Sequence, residues 1–184
     1  MQEIASQGQL RMAFLRWAMV TVPFVLLIGF LSANLVPAGS QNAWYAALSK
    51  PAGTPPDWAF PVAWTTIYIL LGLAVAMVLN ARGSRLRAQA LALFAVQLAA
   101  NFAWTPLFFG MHRITWSLVL IAAIFLLVLA MTFVFARIRK AAAWCLVPYL
   151  IWVSYAGIIL FQIGQLNPNA EHVVTSPSAT QITL

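Results

Sequence analysis

The chain has 184 residues, of which 63% are hydrophobic and only 7% are charged. Soluble domains are about 45–50% apolar and about 25% charged, so this composition excludes a water-soluble globular protein and indicates a protein of the lipid bilayer. The net charge of +7 comes from basic residues in short clusters between apolar runs, which argues against the continuous basic surface of a nucleic-acid-binding protein.

Five segments are long and apolar enough to cross a bilayer as helices, which takes about 20 residues each. In chain order they cover residues 13–36, 58–80, 88–109, 114–136 and 141–166. We therefore expect an all-α integral membrane protein, a bundle of five transmembrane helices formed by residues 13–166. A polar N-terminal segment, 1–12, precedes it, and a polar tail, 167–184, is expected to be disordered.

The first connection, residues 37–57, is the only long one and could fold over one end of the bundle. Its portion 42–50 is expected to form one or two helical turns before Pro51 ends them. An alternative concerns the first helix, because Arg11 and Arg16 before an apolar run also suggest a signal peptide. The apolar core of a signal peptide is about 7–15 residues, and this run is longer, which favours a retained helix.

Basic residues mark one end of the bundle. The N-terminus and the second and fourth connections carry eight of the ten: Arg11, Arg16, Arg82, Arg85, Arg87, Arg137, Arg139 and Lys140. Only Lys50 and Arg113 fall at the other end. The positive-inside rule then predicts a cytoplasmic N-terminus, with the first loop and the C-terminus outside. A helical bundle with this pattern favours an energised inner membrane, and an outer membrane is the alternative.

No Asp, Glu, Lys, Arg or His lies in the middle of a span, which argues against an ion-coupled transporter. The notable polar groups within the spans are instead amides. Gln97 and Asn101 share a helix face with Trp104, and they could either bond neighbouring helices or anchor a ligand. A stripe of small residues lies on the opposite face and predicts a contact with another helix or with a second copy, unless alanine is simply common here: Ala95, Ala99 and Ala103.

Tryptophans usually lie at membrane interfaces, and five of the eight fit that position: Trp17, Trp44, Trp58, Trp116 and Trp144. Trp64, which shares a face with Tyr68, and Trp152 lie deeper in their spans. A buried indole N–H needs an acceptor, so these residues could line an aromatic cavity or simply pack in the core. The lone Cys145 cannot form an intramolecular disulfide, and no cluster has metal-site spacing, so no metal is expected.

Three segments carry a more specific pattern. Residues 44–68 contain K-P, P-P and F-P pairs and end in W-x-x-x-Y; residues 97–110 contain N-F-A-W-T-P-L-F-F; residues 147–156 contain P-Y-L-I-W-V-S-Y-A, followed by L-N at 166–167. Together, and in this order, they resemble the TspO/MBR family of tryptophan-rich sensory and mitochondrial translocator proteins. The resemblance covers roughly residues 13–167.

The resemblance implies a pocket, capped by the first loop, that binds porphyrins such as protoporphyrin IX or haem and other flat hydrophobic molecules. No cofactor is required. Together with the polar and aromatic faces above, it gives the expected ligand-binding residues: Trp44, Tyr45, Trp64, Tyr68, Gln97, Asn101, Trp104, Trp152 and Ala156. The family also implies a homodimer that uses the third helix, which agrees with the alanine stripe.

The expected function is that of a membrane receptor or carrier for tetrapyrroles. One alternative is an enzyme that degrades protoporphyrin IX under light with Trp64 and Trp152, and another is a small membrane scaffold with an incidental pocket. The chain departs from the family at Ile159-Leu160, where an L-N pair is usual, and so loses a polar group. No basic residue follows Lys140, so we expect no cholesterol preference, and His112 is expected to be interfacial and not a haem ligand.

Overall fold

The computed structural model describes residues 7–171. Within that range the chain forms α-helices and no strands: α1 (Gln7–Ala33), α2 (Ala43–Ala47), α3 (Ala59–Asn80), α4 (Arg87–Thr105), α5 (Ile114–Ile138), α6 (Lys140–Trp144) and α7 (Val147–Leu166). Five helical stretches in this range are long and apolar enough to span a membrane, namely α1, α3, α4 with the turn that follows it, α5, and α6 together with α7. The predicted all-α bundle of five spans is confirmed.

Helix α1 is longer at its start than the sequence predicted, because it begins at Gln7 and not at residue 13. The apolar pattern marks only the part that needs a hydrocarbon environment, whereas good helix formers such as Leu10 and Met12 extend the helix beyond it. The helix ends at Ala33, three residues before the predicted end. There the Asn34 side chain donates to the carbonyl of Phe30 (2.7 Å), which satisfies one of the last carbonyls.

Helices α1 and α3 pack closely because glycines remove side chains from their contact. A Cβ on Gly72 would lie 2.7 Å from the Cα of Val22, so only glycine fits there. At the same place the Thr21 hydroxyl donates to the Gly72 carbonyl (2.7 Å). Gly29 lies against the ring of Tyr68, and a Cβ there would collide with it. These contacts fix the depth at which the Tyr68 ring enters the bundle.

Helix α4 continues into a π-helical turn, Pro106–Gly110. Pro106 has no N–H, so it cannot bond the carbonyl of Phe102 in the preceding turn. The Ser32 hydroxyl of α1 donates to that carbonyl instead (2.7 Å), and the widened turn is closed by a bond from Met111 N–H to the Pro106 carbonyl (2.9 Å). The turn carries two phenylalanines, 108 and 109, to the end of the bundle where the long loop lies.

The last span is interrupted, where the sequence predicted one continuous helix over 141–166. Cys145 and Leu146 separate α6 from α7, and Pro148 lies in the first turn of α7, where its missing N–H costs no helical bond. The extended backbone of Arg139 separates α5 from α6. The chain therefore reverses direction within one residue, which brings α7 against α5.

Residues 39–57 form a lid over one end of the bundle, and we call this end the lid end. The sequence prediction of helical turns here is confirmed by α2, which ends at Ala47, before Pro51. Asn42 begins it: its Oδ1 accepts from the Tyr45 N–H (3.0 Å), and its Nδ2 donates to the Phe109 carbonyl (2.9 Å). The same side chain thus starts the lid helix and ties it to the π-helical turn.

Residues 167–171 form a short segment that we call the strap. The sequence predicted a disordered tail from Asn167 onward, and this is wrong for the strap, because its side chains bond the rest of the protein. The Glu171 carboxylate accepts from the Thr115 N–H in the first turn of α5 (2.6 Å). A polar composition therefore did not mean absence of order here. The rest of the predicted tail, 172–184, and the N-terminal residues 1–6 lie outside the described residues.

Candidate ligand pocket under the lid

A pocket lies between the lid and the lid ends of α3, α4 and α7. The lid contributes Tyr45 and Pro55, α3 contributes Phe60, α4 and its π-helical turn contribute Trp104, Phe108 and Phe109, and α7 contributes Trp152, Tyr155, Ala156, Ile159, Leu160 and Ile163. Seven of these twelve side chains are aromatic, and none of them is charged. Apolar walls with a few polar atoms are typical of sites for hydrophobic small molecules.

The pocket is narrow in this structure, although it is not fully enclosed. Its cavity has a volume of about 50 Å³, whereas sites for drug-sized ligands have about 300–1,000 Å³. Aromatic side chains fill the space by edge-to-face packing, as between Phe60 and Trp152, whose ring centres are 5.8 Å apart. A large planar ligand can enter only if the lid and these rings move apart.

Tyr45 is the aromatic lid residue in the pocket wall. Lys50 lies over its ring, with Nζ 4.6 Å from the ring centre, and donates to the carbonyls of Ala46 (3.3 Å) and Leu48 (3.2 Å). Burial raises the pKa of the Tyr45 hydroxyl above its ordinary value, and the negative charge of Asp57 raises it further. The hydroxyl therefore remains protonated at neutral pH.

The indole N–H groups near the pocket fall into two classes. Trp104 donates to the Ser117 carbonyl (3.3 Å), so its N–H is already used within the protein. The N–H groups of Trp64 and Trp152 make no hydrogen bond to any residue in the range 7–171. Trp152 lines the pocket. Its uncommitted donor can therefore bond an acceptor on a ligand.

Trp64 lies one helical turn below Phe60, next to the pocket and not in its wall. Its ring stacks on Tyr68 (5.3 Å between ring centres) and meets the edge of Tyr149 (5.9 Å). It therefore connects the pocket to the polar network described next.

A buried polar network lies deeper in the bundle. Tyr149 is at its centre, and its hydroxyl accepts from Gln97 Nε2 (2.6 Å) and from Asn101 Nδ2 (2.8 Å). Tyr68 donates to Asn101 Oδ1 (3.1 Å). Gln97 is fully buried, yet its Oε1 has no partner among the described residues. Of the two interpretations that the sequence left open for the amides, the structure shows bonding between helices α3, α4 and α7.

Trp44 lies in the lid but outside the pocket wall. Its ring stacks on His112 (4.5 Å between ring centres), and its N–H donates to the Ala170 carbonyl of the strap (3.1 Å). His112 has a φ of 54°, an unusual backbone conformation for a residue with a side chain. Trp44 is therefore a structural contact between the lid, the third connection and the strap.

The alanine stripe of α4 points outward. Ala95, Ala99 and Ala103 are exposed, while Gln97 and Asn101 on the other face are buried. The two faces are thus disposed as the helical period predicted. Within residues 7–171, no group of three His, Cys, Asp or Glu side chains is placed to hold a metal ion.

The structure brings four of the predicted ligand-binding residues into one pocket wall: Tyr45, Trp104, Trp152 and Ala156. The others lie next to it or beneath it, as described above: Trp44, Trp64, Tyr68, Gln97 and Asn101.

Sequence reasoning also left out several wall residues. Tyr155 shares a face with Trp152, and Phe108 follows Trp104 by four residues, so helical spacing carried a signal for both. Phe60 precedes Trp64 by four residues in the same way. Pro55 lies in the lid, where no periodic pattern marks which residues point inward. Ile159 and Leu160, the departure from the family pattern, line the pocket and make this part of its wall apolar.

These features define a multi-pass integral membrane protein with an aromatic pocket closed by a loop. A family model described as "TspO/MBR family" matches residues 19–166. The chain belongs to the TspO/MBR family.

Curated relatives agree with this assignment. The chain is 40% identical to protein CrtK of Rhodobacter capsulatus over 135 residues, which is 73% of this chain and 84% of the relative. It is 39% identical to the tryptophan-rich sensory protein of Cereibacter sphaeroides over 155 residues (82% and 96%). It is 36% identical to the translocator protein of Bos taurus over 141 residues (76% and 83%). The similarity therefore extends from bacterial to mammalian proteins.

Proposed function

We propose that the protein is a membrane receptor or carrier that binds tetrapyrroles, such as protoporphyrin IX, in the pocket under the lid. The observation that carries the proposal is Trp152, an aromatic wall residue whose N–H has no partner among the described residues. The flat, largely apolar faces of a macrocycle match walls of aromatic rings. Its pyrrole nitrogens or carboxylates supply the acceptors that the indole lacks.

Because of Lys50, we expect the pocket to prefer tetrapyrroles that carry carboxylates. It lies on the lid beside Tyr45, where it bonds only backbone carbonyls. A carboxylate on the ligand is a stronger partner for an ammonium group than a carbonyl is. Propionate side chains at the edge of the macrocycle would therefore exchange for these carbonyls when the lid opens.

A dark titration with protoporphyrin IX, followed by tryptophan fluorescence, tests the proposal. Trp152→Phe keeps an aromatic ring in the wall but removes the N–H together with the second ring of the indole, and we expect a roughly tenfold weaker affinity. Trp144→Phe is the matched control, because Trp144 is 72% exposed near the opposite end. Quenching that does not saturate, or equal affinities in all three proteins, would contradict the proposal and favour a scaffold whose pocket is incidental.

A second candidate function is light-dependent breakdown of protoporphyrin IX, favoured by the position of Trp152 in the pocket wall. The residue can donate one electron to the photoexcited macrocycle, giving an indole radical cation and a porphyrin radical anion. The anion adds dioxygen at a bridging carbon, one electron returns to the indole, and cleavage of the O–O bond and the adjacent C–C bond leaves a ring-opened product with two new C=O groups, so dioxygen is the oxidant. Trp64, the second tryptophan of this hypothesis, lies one helical turn from Phe60, whose ring packs on Trp152. Illumination of the bound porphyrin distinguishes the two functions, because bleaching no faster than with free tryptophan in detergent would leave only binding.

Two proposals concern the membrane. The basic clusters support an orientation with the lid away from the cytoplasm of a bacterial inner membrane. The exposed alanines of α4 support a homodimer, because small residues allow helices from two copies to approach closely. Accessibility of single cysteines to a membrane-impermeant reagent tests the first, and cross-linking at Ala99→Cys tests the second, both in a Cys145→Ser background.

A further inference from the structure

The lid is held near its start and near its middle. Asn42 bonds it to the π-helical turn through the Phe109 carbonyl, and part of that contact is buried. Near the middle, the N–H of Ser49 donates to Asn167 Oδ1 (2.9 Å), and Asn167 Nδ2 donates back to the Ser49 carbonyl (2.8 Å). The Asn167 amide thus pairs with the backbone of Ser49 as a neighbouring strand would.

These two attachment points differ in how easily water can replace their hydrogen bonds. The bonds between Asn167 and Ser49 are exposed, so water can compete for both groups. Such bonds break at a low free-energy cost, whereas a buried donor or acceptor without a partner is expensive. The Asn42 attachment therefore has the character of a hinge, and the Ser49 attachment has that of a latch.

Other contacts place the strap that carries this latch. The Ala170 carbonyl accepts from the Trp44 indole, and Glu171 bonds the first turn of α5. Asn167 itself also donates to the Ile163 carbonyl at the end of α7 (2.8 Å). The Asn167 amide is therefore pre-positioned by α7 and meets the lid without a further loss of side-chain freedom.

We propose that Asn167 is a positioning residue of the ligand site, which holds the lid closed over the pocket. Opening of the Asn167–Ser49 pair is a step in admitting and releasing ligand, together with release of the Gly53 carbonyl from the Tyr155 hydroxyl. The cavity of about 50 Å³ is too small for a macrocycle in the present arrangement, so the lid and the wall must separate before a macrocycle can enter. The inference rests on the proposed function for the nature of the ligand, and on the lid contacts alone for the closure.

Hydrogen–deuterium exchange of the full chain in lipid nanodiscs, without ligand, tests the closure. Asn167→Ala removes both bonds to Ser49, and we expect exchange of the amides in residues 43–50 to rise roughly tenfold or more. Asn169→Ala is the matched control, because Asn169 is exposed in the same strap and makes no hydrogen bond to a described residue. Its exchange should equal that of the wild type.

A merely structural role predicts a different pattern. If Asn167 only ended α7, the variant would lose protection across α5 and α7 and leave the lid unchanged, which would overturn the proposal. Trp44→Phe gives a second route if Asn167→Ala does not fold. It keeps an aromatic ring beside His112 and removes the bond to the Ala170 carbonyl, so it should also speed exchange in the lid.

Stopped-flow mixing with protoporphyrin IX in the dark measures the gating. Asn167→Ala should raise the association and dissociation rate constants together, because both pass through the open lid. Faster lid exchange with unchanged association would overturn the gating. If the wild type itself shows no saturable binding, the proposed function fails, and the exchange data still decide whether Asn167 holds the lid.

Discussion

Replacing Tyr149 by Phe removes one oxygen atom from the centre of the buried network and should destabilise the protein strongly for so small a change. That oxygen accepts from Gln97 and Asn101 at 2.6 and 2.8 Å, and Tyr149 is 1% exposed, so water cannot take its place. Two buried N–H donors without a partner would cost about 2–6 kcal/mol in a soluble core. In a bilayer the cost per bond averages about 0.6 and reaches about 1.7 kcal/mol, because the unfolded helices also find partners.

We therefore expect Tyr149→Phe to lower the free energy of unfolding by about 1–3 kcal/mol. Equilibrium unfolding in mixed micelles with increasing SDS measures it. Tyr68→Phe is the matched comparison, because it deprives only Asn101 Oδ1 of a donor and should cost about 0.6 kcal/mol. Equal losses in the two variants, or a Tyr149→Phe protein as stable as the wild type, would refute the account of the network.

The Oε1 atom of Gln97, which has no partner among the described residues, allows a second test of the buried network. Gln97→Leu removes that buried oxygen together with the bond to Tyr149, so the two effects oppose each other and the net change should be small. In a protein that already carries Gln97→Leu, Tyr149→Phe should lower the free energy of unfolding by less, because only one N–H donor, that of Asn101, then loses its partner. Strictly additive losses would show that the two side chains do not share a bond.

Three more outcomes follow from particular contacts. Gly29→Ala should lower the thermal unfolding midpoint in detergent, since its Cβ would displace the ring of Tyr68 at a cost of about 1–3 kcal/mol; an unchanged midpoint would contradict the packing. Ser32→Ala should cost about 1 kcal/mol in SDS unfolding, because the carbonyl of Phe102 loses the donor that the proline cannot supply. The pKa of Tyr45 is raised in the closed lid, so closure is fully stable below the ordinary tyrosine pKa and weakens as pH rises above it. Lid exchange, corrected for its intrinsic pH dependence, should therefore increase above a pH of about 10, and Tyr45→Phe should abolish the increase.

The spans were predictable because the bilayer imposes a length and a polarity on every helix. The interruption at Cys145 and the π-helical turn were not, since both arise from how the chain satisfies single backbone bonds next to a proline. Pro106 could be read as a break in hydrogen bonding. The missing donor is supplied by Ser32, which is seventy positions from Phe102 in the chain. Only the packing of α1 against α4 brings the two together.

The sequence predicted which helix faces the candidate site occupies, but not how far along those faces the pocket extends. Helical period gives the face on which a residue lies, and it correctly placed Gln97 and Asn101 inside the bundle. It does not say where along that face a pocket ends, and here these amides lie deeper than the pocket wall. Residues of the lid have no period at all. Only the resemblance pointed to Tyr45 and Trp44, and the structure separates them into a wall residue and a strap contact.

The bonds that close the lid join the first third of the chain to its end. Ser49 and Asn167 are 118 positions apart, and Trp44 and Ala170 are 126 apart. During synthesis on the ribosome the first loop is complete long before its partners exist. Domains made in the membrane acquire such contacts only after the last helix has been inserted. The contacts between the lid and the strap therefore form late, and a newly inserted chain passes through a stage in which its lid is not yet fastened.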